Sequence, residues 1–288
     1  WETVMLFNRV IEESAMVNVL MFGASGVGKS SMLAAMHDEL RRSDFQSIRL
    51  KCANPNLEKQ LQSKLNDMRQ ASGTLNNDGG IEGTSVKNQY HFNLSSSASR
   101  HAKLAIRFTD IPGGWIEDDA KLEDLQQELN QSHIIMLPVH APALMEHDGL
   151  HHREINSPET IQWFLSEQNF QRPVLILLAP IKCESYMGKQ REALLSRLYT
   201  AYEALITDVQ HNDNIALAIT PIETMGNMRF ESWQEGKDKY YRVGRRAYEP
   251  RFVAQPLCYA LNFSLSKELG FVNDLYGELF LRLFLFNE

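Results

Sequence analysis

The eight residues GASGVGKS at 23–30 limit what this chain can fold into more than any other stretch. They fit G-x-x-x-x-G-K-[ST] at every fixed position. Before them stands an apolar run, MVNVLMF (16–22); after them a helical pattern from Lys29 to about Arg42 puts Leu33, Met36 and Leu40 on one face. Four fixed positions of this kind coincide by chance in only about one chain in a hundred of this length, so the pattern is specific. Gly23, Gly26 and Gly28 let the backbone turn successive N–H groups inward, and let it approach a phosphate where a Cβ would collide. The helix that begins at Lys29 adds its positive end. Such a unit cradles a nucleoside phosphate. The cradle runs over Gly23, Ala24, Ser25, Gly26, Val27, Gly28, Lys29, Ser30 and Ser31. Lys29 is expected to bridge the β- and γ-phosphates, and Ser30 to give its hydroxyl to Mg²⁺.

Downstream, strand patterns alternate with helical ones. Strands are expected at 45–52, 88–94, 103–110, 133–140, 173–180 and 214–221, and helices at 57–71, 117–131, 158–170 and 188–208. A glycine-rich connector covers 72–85, a serine-rich hairpin turn 95–102, and residues 226–256 read as irregular. The alternation predicts an α/β fold of the P-loop NTPase kind: a mainly parallel sheet with helices on both faces, plus a C-terminal helical segment. The expected organisation is a helical lead-in at 1–15 and a P-loop domain at 16–228 with a helical insert at about 53–83. An irregular stretch and C-terminal helices at 229–288 would pack on that domain. In such sheets ligands sit at the carboxyl ends of the strands. Each further motif falls at such an end.

Composition narrows the function classes. A net charge of −7 argues against general nucleic-acid binding. No apolar run approaches the ~20 residues that span a bilayer. Cys52, Cys183 and Cys258 lie far apart without CxxC spacing, which predicts reduced thiols in a cytoplasmic protein. EHDGLHHRE (146–154) places His147 and His151 four apart, but Gly149 weakens the helix a metal grip would need. A polar loop at the nucleotide edge is the expectation there.

Three more boxes follow the phosphate loop in order. LAIRFTDIPGG (104–114) is a strand ending in Asp110, which there can hold Mg²⁺ through its water shell, followed by Gly113 at D-x-x-G spacing. IKCES (181–185) puts Lys182 and Glu184 just past a buried strand, and ITPIETMG (219–226) puts Thr220 and Pro221 after the last one. Together with GTS…YHFNL (83–94), this set resembles the Ras-like P-loop GTPases of the TRAFAC class. More narrowly it resembles bacterial double-GTPase-like proteins of conflict (defence) systems, which share a T-P-x-x-T-x-G motif and a helix like QPLCYAL (255–261). The resemblance covers about residues 16–262. It implies that the Gly113 N–H meets the γ-phosphate beside Lys29. It also implies that a switch threonine, Thr84 or alternatively Thr74, joins Ser30 and Asp110 around Mg²⁺. Lys182 would stack over the base and Glu184 would accept from guanine in place of the usual aspartate, while Ile181 stands where the box has Asn or Thr. The Thr220-Pro221 loop would close over the base with its amides. The implied ligands are GTP or GDP with Mg²⁺.

Where Ras-like enzymes commonly carry a water-orienting glutamine, this chain has Gly114, then Trp115. Slow hydrolysis is expected unless another group enters: Glu117, Asp118, or an arginine such as Arg100, Arg153, Arg242, Arg245 or Arg246. Nucleotide state would order residues 72–86 and 110–117 for a protein partner, a second GTPase-like protein or a second copy of this chain. The alternatives are a non-hydrolysing nucleotide sensor and an ATPase on the same fold.

Overall fold

The computed structural model describes residues 16–42, 48–70, 86–96, 103–212, 214–234, 237–244 and 248–268. The expected lead-in at 1–15, Thr74 and Thr84 in the connector, Arg100, Arg245, Arg246 and the last segment from 269 lie outside them.

Seven strands form one sheet: β1 (Val17–Met21), β2 (Ile48–Cys52), β3 (Asn88–Ser96), β4 (Lys103–Asp110), β5 (Ile134–His140), β6 (Val174–Ile181) and β7 (Ile215–Ile219), in the order β2-β3-β4-β1-β5-β6-β7. From β4 to β7 every pairing is parallel, while β2 and β3 add to one edge antiparallel. The sheet is thus mainly parallel, as the alternation predicted.

Both faces are covered because the strands are apolar on both. β1 turns Val17, Val19 and Met21 toward one core and Leu20, with the adjacent Phe22, toward the other. β6 divides in the same way, Leu175, Leu177 and Ala179 against Val174, Ile176 and Leu178. Helices α1 (Lys29–Arg42) and α2 (Pro55–Gln70) fill the first core with Leu33, Met36, Leu61 and Leu65. Helices α3 (Leu122–Gln131), α4 (Ala141–Met145), α5 (His152–Asn156), α6 (Pro158–Ser166), α7 (Arg191–Ala201) and α8 (Glu203–Gln210) follow in the chain. Of these, α3, α6, α7 and α8 build the second core with Leu125, Phe164, Leu198 and Leu205. The last described helix, α9 (Gln255–Glu268), returns to the first core through Leu257 and Leu261.

Three local readings change. The helix expected at 188–208 is two, α7 and α8, divided at the buried Tyr202. The helix expected from 117 starts at Leu122, after two short 3₁₀ turns separated by Asp118, whose carboxylate accepts from the Ala120 N–H at 3.0 Å. The stretch read as irregular contains a second, two-stranded sheet, β8 (Met228–Gln234) with β9 (Lys237–Arg242). A bulge between Phe230 and Ser232 breaks its two-residue period, which hides it from a search for alternation.

Candidate functional site

The loop between β1 and α1 wraps its own lysine. Lys29 Nζ donates to the carbonyls of Gly23 at 2.8 Å and Ala24 at 3.0 Å, so the ammonium sits inside the loop. Burial lowers its pKa to about 8 against the opposing pull of Asp110. Ser30 is buried, and its hydroxyl donates to Asp110 Oδ2 at 2.5 Å. That contact joins residues 80 positions apart, because β1 and β4 are parallel neighbours with Met21 opposite Asp110. Ser31 and Val27 are buried, Ala24 half-buried, Ser25 and Gly26 exposed.

Gly113 lies on this loop so closely that a Cβ there would stand 1.9 Å from the Ser25 backbone nitrogen. Only glycine fits that approach. The expected residues Lys29, Ser30, Asp110 and Gly113 are therefore gathered at the carboxyl ends of β1 and β4.

The residues expected on the base side are also near one another, in contacts the sequence did not foretell. Lys182 has a left-handed backbone (φ 60°) and is buried. Its Cε lies 3.6 Å from where a Gly28 Cβ would be, so the stem runs beside the phosphate loop. Its ammonium donates to Asp238 Oδ2 at 2.8 Å. Glu184 is buried as well, and its Oε1 accepts from the backbone N–H groups of Met225 and Gly226. Burial raises the Glu184 pKa to about 8, and the backbone N–H groups of Glu184 itself and of Met225 only partly offset it. The Thr220 N–H bonds the Leu178 carbonyl at 2.9 Å, and the Ile222 N–H bonds that of Pro180 at 2.7 Å. The loop after β7 is thus fastened to β6, with Thr220 and Pro221 buried.

Sequence reasoning missed His140, Asp238 and Tyr240, and gave Thr224 only as part of the T-P-x-x-T-x-G motif. Thr224 Oγ1 accepts from the Lys182 N–H at 3.2 Å, and Tyr240 donates to Asp238 Oδ2 at 2.6 Å. His140 ends β5, as a strand-end rule could have flagged; Asp238 and Tyr240 arrive on the hairpin with no local signal. The His-rich segment also differs from the expected plain polar loop. His147 and Asp148 take left-handed backbones, His151 packs its ring 4.5 Å from that of Trp233, and His152 is buried beside Asn156. Among the described residues no three His, Cys, Asp or Glu side chains gather as a metal group, and no helix is long and apolar enough to cross a membrane.

The sequence model of the Sigma-54 interaction domain family matches residues 2–79, well under half of the chain. No curated protein matches it. Among solved structures, the chain is similar to the signal recognition particle receptor SRb-GTP/SRX complex from Chaetomium thermophilum, at 13% identity and TM-score 0.43, over 74% of this chain and 93% of that one. It is also similar to the S. cerevisiae Ski7 GTPase-like domain bound to GDP and inorganic phosphate, at 13% identity and TM-score 0.48, over 95% of this chain and 53% of that one. This chain thus spans about half the length of the Ski7 chain it matches. A bacterial dynamin pair is matched at 11% identity and TM-score 0.36, over 77% of this chain and 35% of that one.

Proposed function

We propose that this protein binds a guanine nucleotide with Mg²⁺ in the manner of P-loop GTPases, hydrolyses it slowly, and passes the nucleotide state to a protein partner. The observation that carries the reading is the Ser30–Asp110 contact at 2.5 Å beside the buried Lys29 ammonium. A hydroxyl and a carboxylate are the hard oxygen donors that Mg²⁺ takes, with water filling its remaining positions. Ser30 would ligate the ion and Asp110 would hold its waters; the bound ion would neutralise charge on the β- and γ-phosphates. Lys29 would leave the Gly23 and Ala24 carbonyls for phosphate oxygens, and the loop amides and the start of α1 would hold the rest. The Gly113 backbone packs against Ser25, and its N–H would turn to the terminal phosphate.

Slow turnover follows from what stands next in the chain. Gly114 has no side chain to orient water, and the Trp115 ring is taken by the Lys121 ammonium 5.3 Å above it. Asp118 is engaged in its turn, and Arg153 is exposed and paired with Glu159. A group brought by a partner would raise the rate by ~10³–10⁵ if it were an arginine. A second GTPase-like protein, or a second copy of this chain, fits that need and agrees with the resemblance to conflict-system proteins. Segments 72–86 and 110–117 are the proposed switch elements, with Thr84 in the first.

Guanine preference rests on the Lys182–Glu184 box and on the Thr220-Pro221 loop. One observation favours a second reading, an NTPase indifferent to the base: Glu184 Oε1 is engaged by the Met225 and Gly226 amides. Parallel calorimetric titrations with non-hydrolysable GTP and ATP analogues in Mg²⁺ separate the two. A clear guanine preference supports the GTPase reading. Equal affinities select the second, and no binding of either refutes both.

A further inference from the structure

We propose that Asp238, carried by the β8–β9 hairpin, is a positioning residue for the nucleotide site: it anchors Lys182 so that the lysine stem is held beside the phosphate loop, where the base would stack on it. The proposal rests on the nucleotide-binding reading above and goes beyond it by making the hairpin part of the site.

The chain of contacts is short. The hairpin brings Asp238 to 0% side-chain exposure, 2.8 Å from the Lys182 ammonium, which is itself nine-tenths buried under the Tyr240 ring at 5.4 Å. The Lys182 Cε then lies beside Gly28, 3.6 Å from where a Cβ would stand on that residue. His140 completes the corner. Its Nδ1 accepts from the Ala143 N–H at 3.2 Å, so the proton is on Nε2, which donates to Asp238 Oδ2 at 2.8 Å. Lys182 Nζ lies 2.9 Å from that same nitrogen. Both groups are donors, so the lysine must place its bond on Asp238. Three donors therefore converge on one oxygen, while Asp238 Oδ1 has no hydrogen-bond partner among the described residues. A buried ion pair with one oxygen unserved is a poor device for stability alone. It is a good one for fixing a lysine that otherwise has four free torsions.

The test measures affinity for a fluorescent non-hydrolysable guanosine triphosphate and for inorganic triphosphate, both in Mg²⁺. The proteins are wild type, Asp238→Asn, Lys182→Met and the double variant, each checked for native near-UV dichroism. Asp238→Asn keeps the side chain's shape and removes the charge. It is expected to weaken nucleotide binding about tenfold, to leave inorganic triphosphate binding unchanged, and to add nothing once Lys182 is Met. Nucleotide affinity within twofold of wild type overturns the proposal, as does an equal loss for both ligands that persists in the Lys182→Met background. If Asp238→Asn fails to fold, Tyr240→Phe removes one donor from the same carboxylate. A selective loss of nucleotide affinity then supports the anchoring role, and unchanged affinity overturns it. A wild-type protein that binds inorganic triphosphate but no nucleotide sinks the nucleotide reading itself, and this inference with it.

Discussion

The ammonium of Lys29 is held by two carbonyls of its own loop, and burial lowers its pKa to about 8. Phosphate binds the charged form, so above pH 8 each nucleotide bound must bring a proton with it. Affinity is expected to be flat from pH 6.5 to 7.5 and to fall above 8 by up to tenfold per pH unit; titrations across that range check this. Glu184 works in the opposite sense on stability. Its folded pKa of about 8 is above its unfolded value, so its contribution is fullest below pH 4.5 and is lost as pH rises toward 8. Denaturant melts should show stability falling through that window at up to about 1.4 kcal/mol per pH unit, and Glu184→Gln should flatten the slope. Gly113→Ala puts a methyl group 1.9 Å from the Ser25 nitrogen, so the segment after β4 must withdraw. The variant should bind a guanosine triphosphate analogue no more tightly than GDP, as measured by the ratio of the two affinities. At this scale Lys29, Ser30 and Asp110 were legible because their chemistry sits in short, fixed spacings. The partners of Glu184 were not: the amides of Met225 and Gly226 reach it only through the fold.

Among the elements, the strands and helices of the parallel half announced themselves through long apolar runs such as VLILLAPI in β6. The hairpin did not. Its strands mix Trp, Glu, Gln and Lys, and its bulge puts the alternation out of step halfway along. It is held by side chains from afar: the Trp233 ring lies 4.5 Å from His151 and 5.8 Å from His140, and the Phe230 N–H bonds Ser185 Oγ at 3.2 Å. Trp233→Ala should therefore cost about 2–3 kcal/mol. Native-state hydrogen exchange should show the β8 and β9 amides opening faster while those of β5 and β6 keep their protection. The division of 188–208 into α7 and α8 was hidden for a similar reason, since a helical period continues through Tyr202 while the backbone turns there.

For the molecule as a whole, alternation alone predicted the α/β class, and the carboxyl-end rule predicted where the motif residues would gather. The hairpin turn at 95–102 foretold the antiparallel pairing of β3 with β4, but the other pairings were beyond the sequence. The antiparallel edge of β2 and β3, and the return of α9 to the core of α1, depend on contacts across much of the chain. The outcome is a sheet whose central strand, β1, feeds the phosphate loop while its neighbours β4 and β5 bring Asp110 and His140 to the same end. The proposed function makes one claim above the others: Ser30 and Asp110 would share a Mg²⁺ with a nucleotide held by Lys29. The most direct measurement is the affinity for a non-hydrolysable guanosine triphosphate with Mg²⁺ and with EDTA, in the wild type and in Ser30→Ala. A loss of at least about tenfold is expected on Mg²⁺ removal in the wild type and almost none in the variant. The same Mg²⁺ response in both proteins would contradict it.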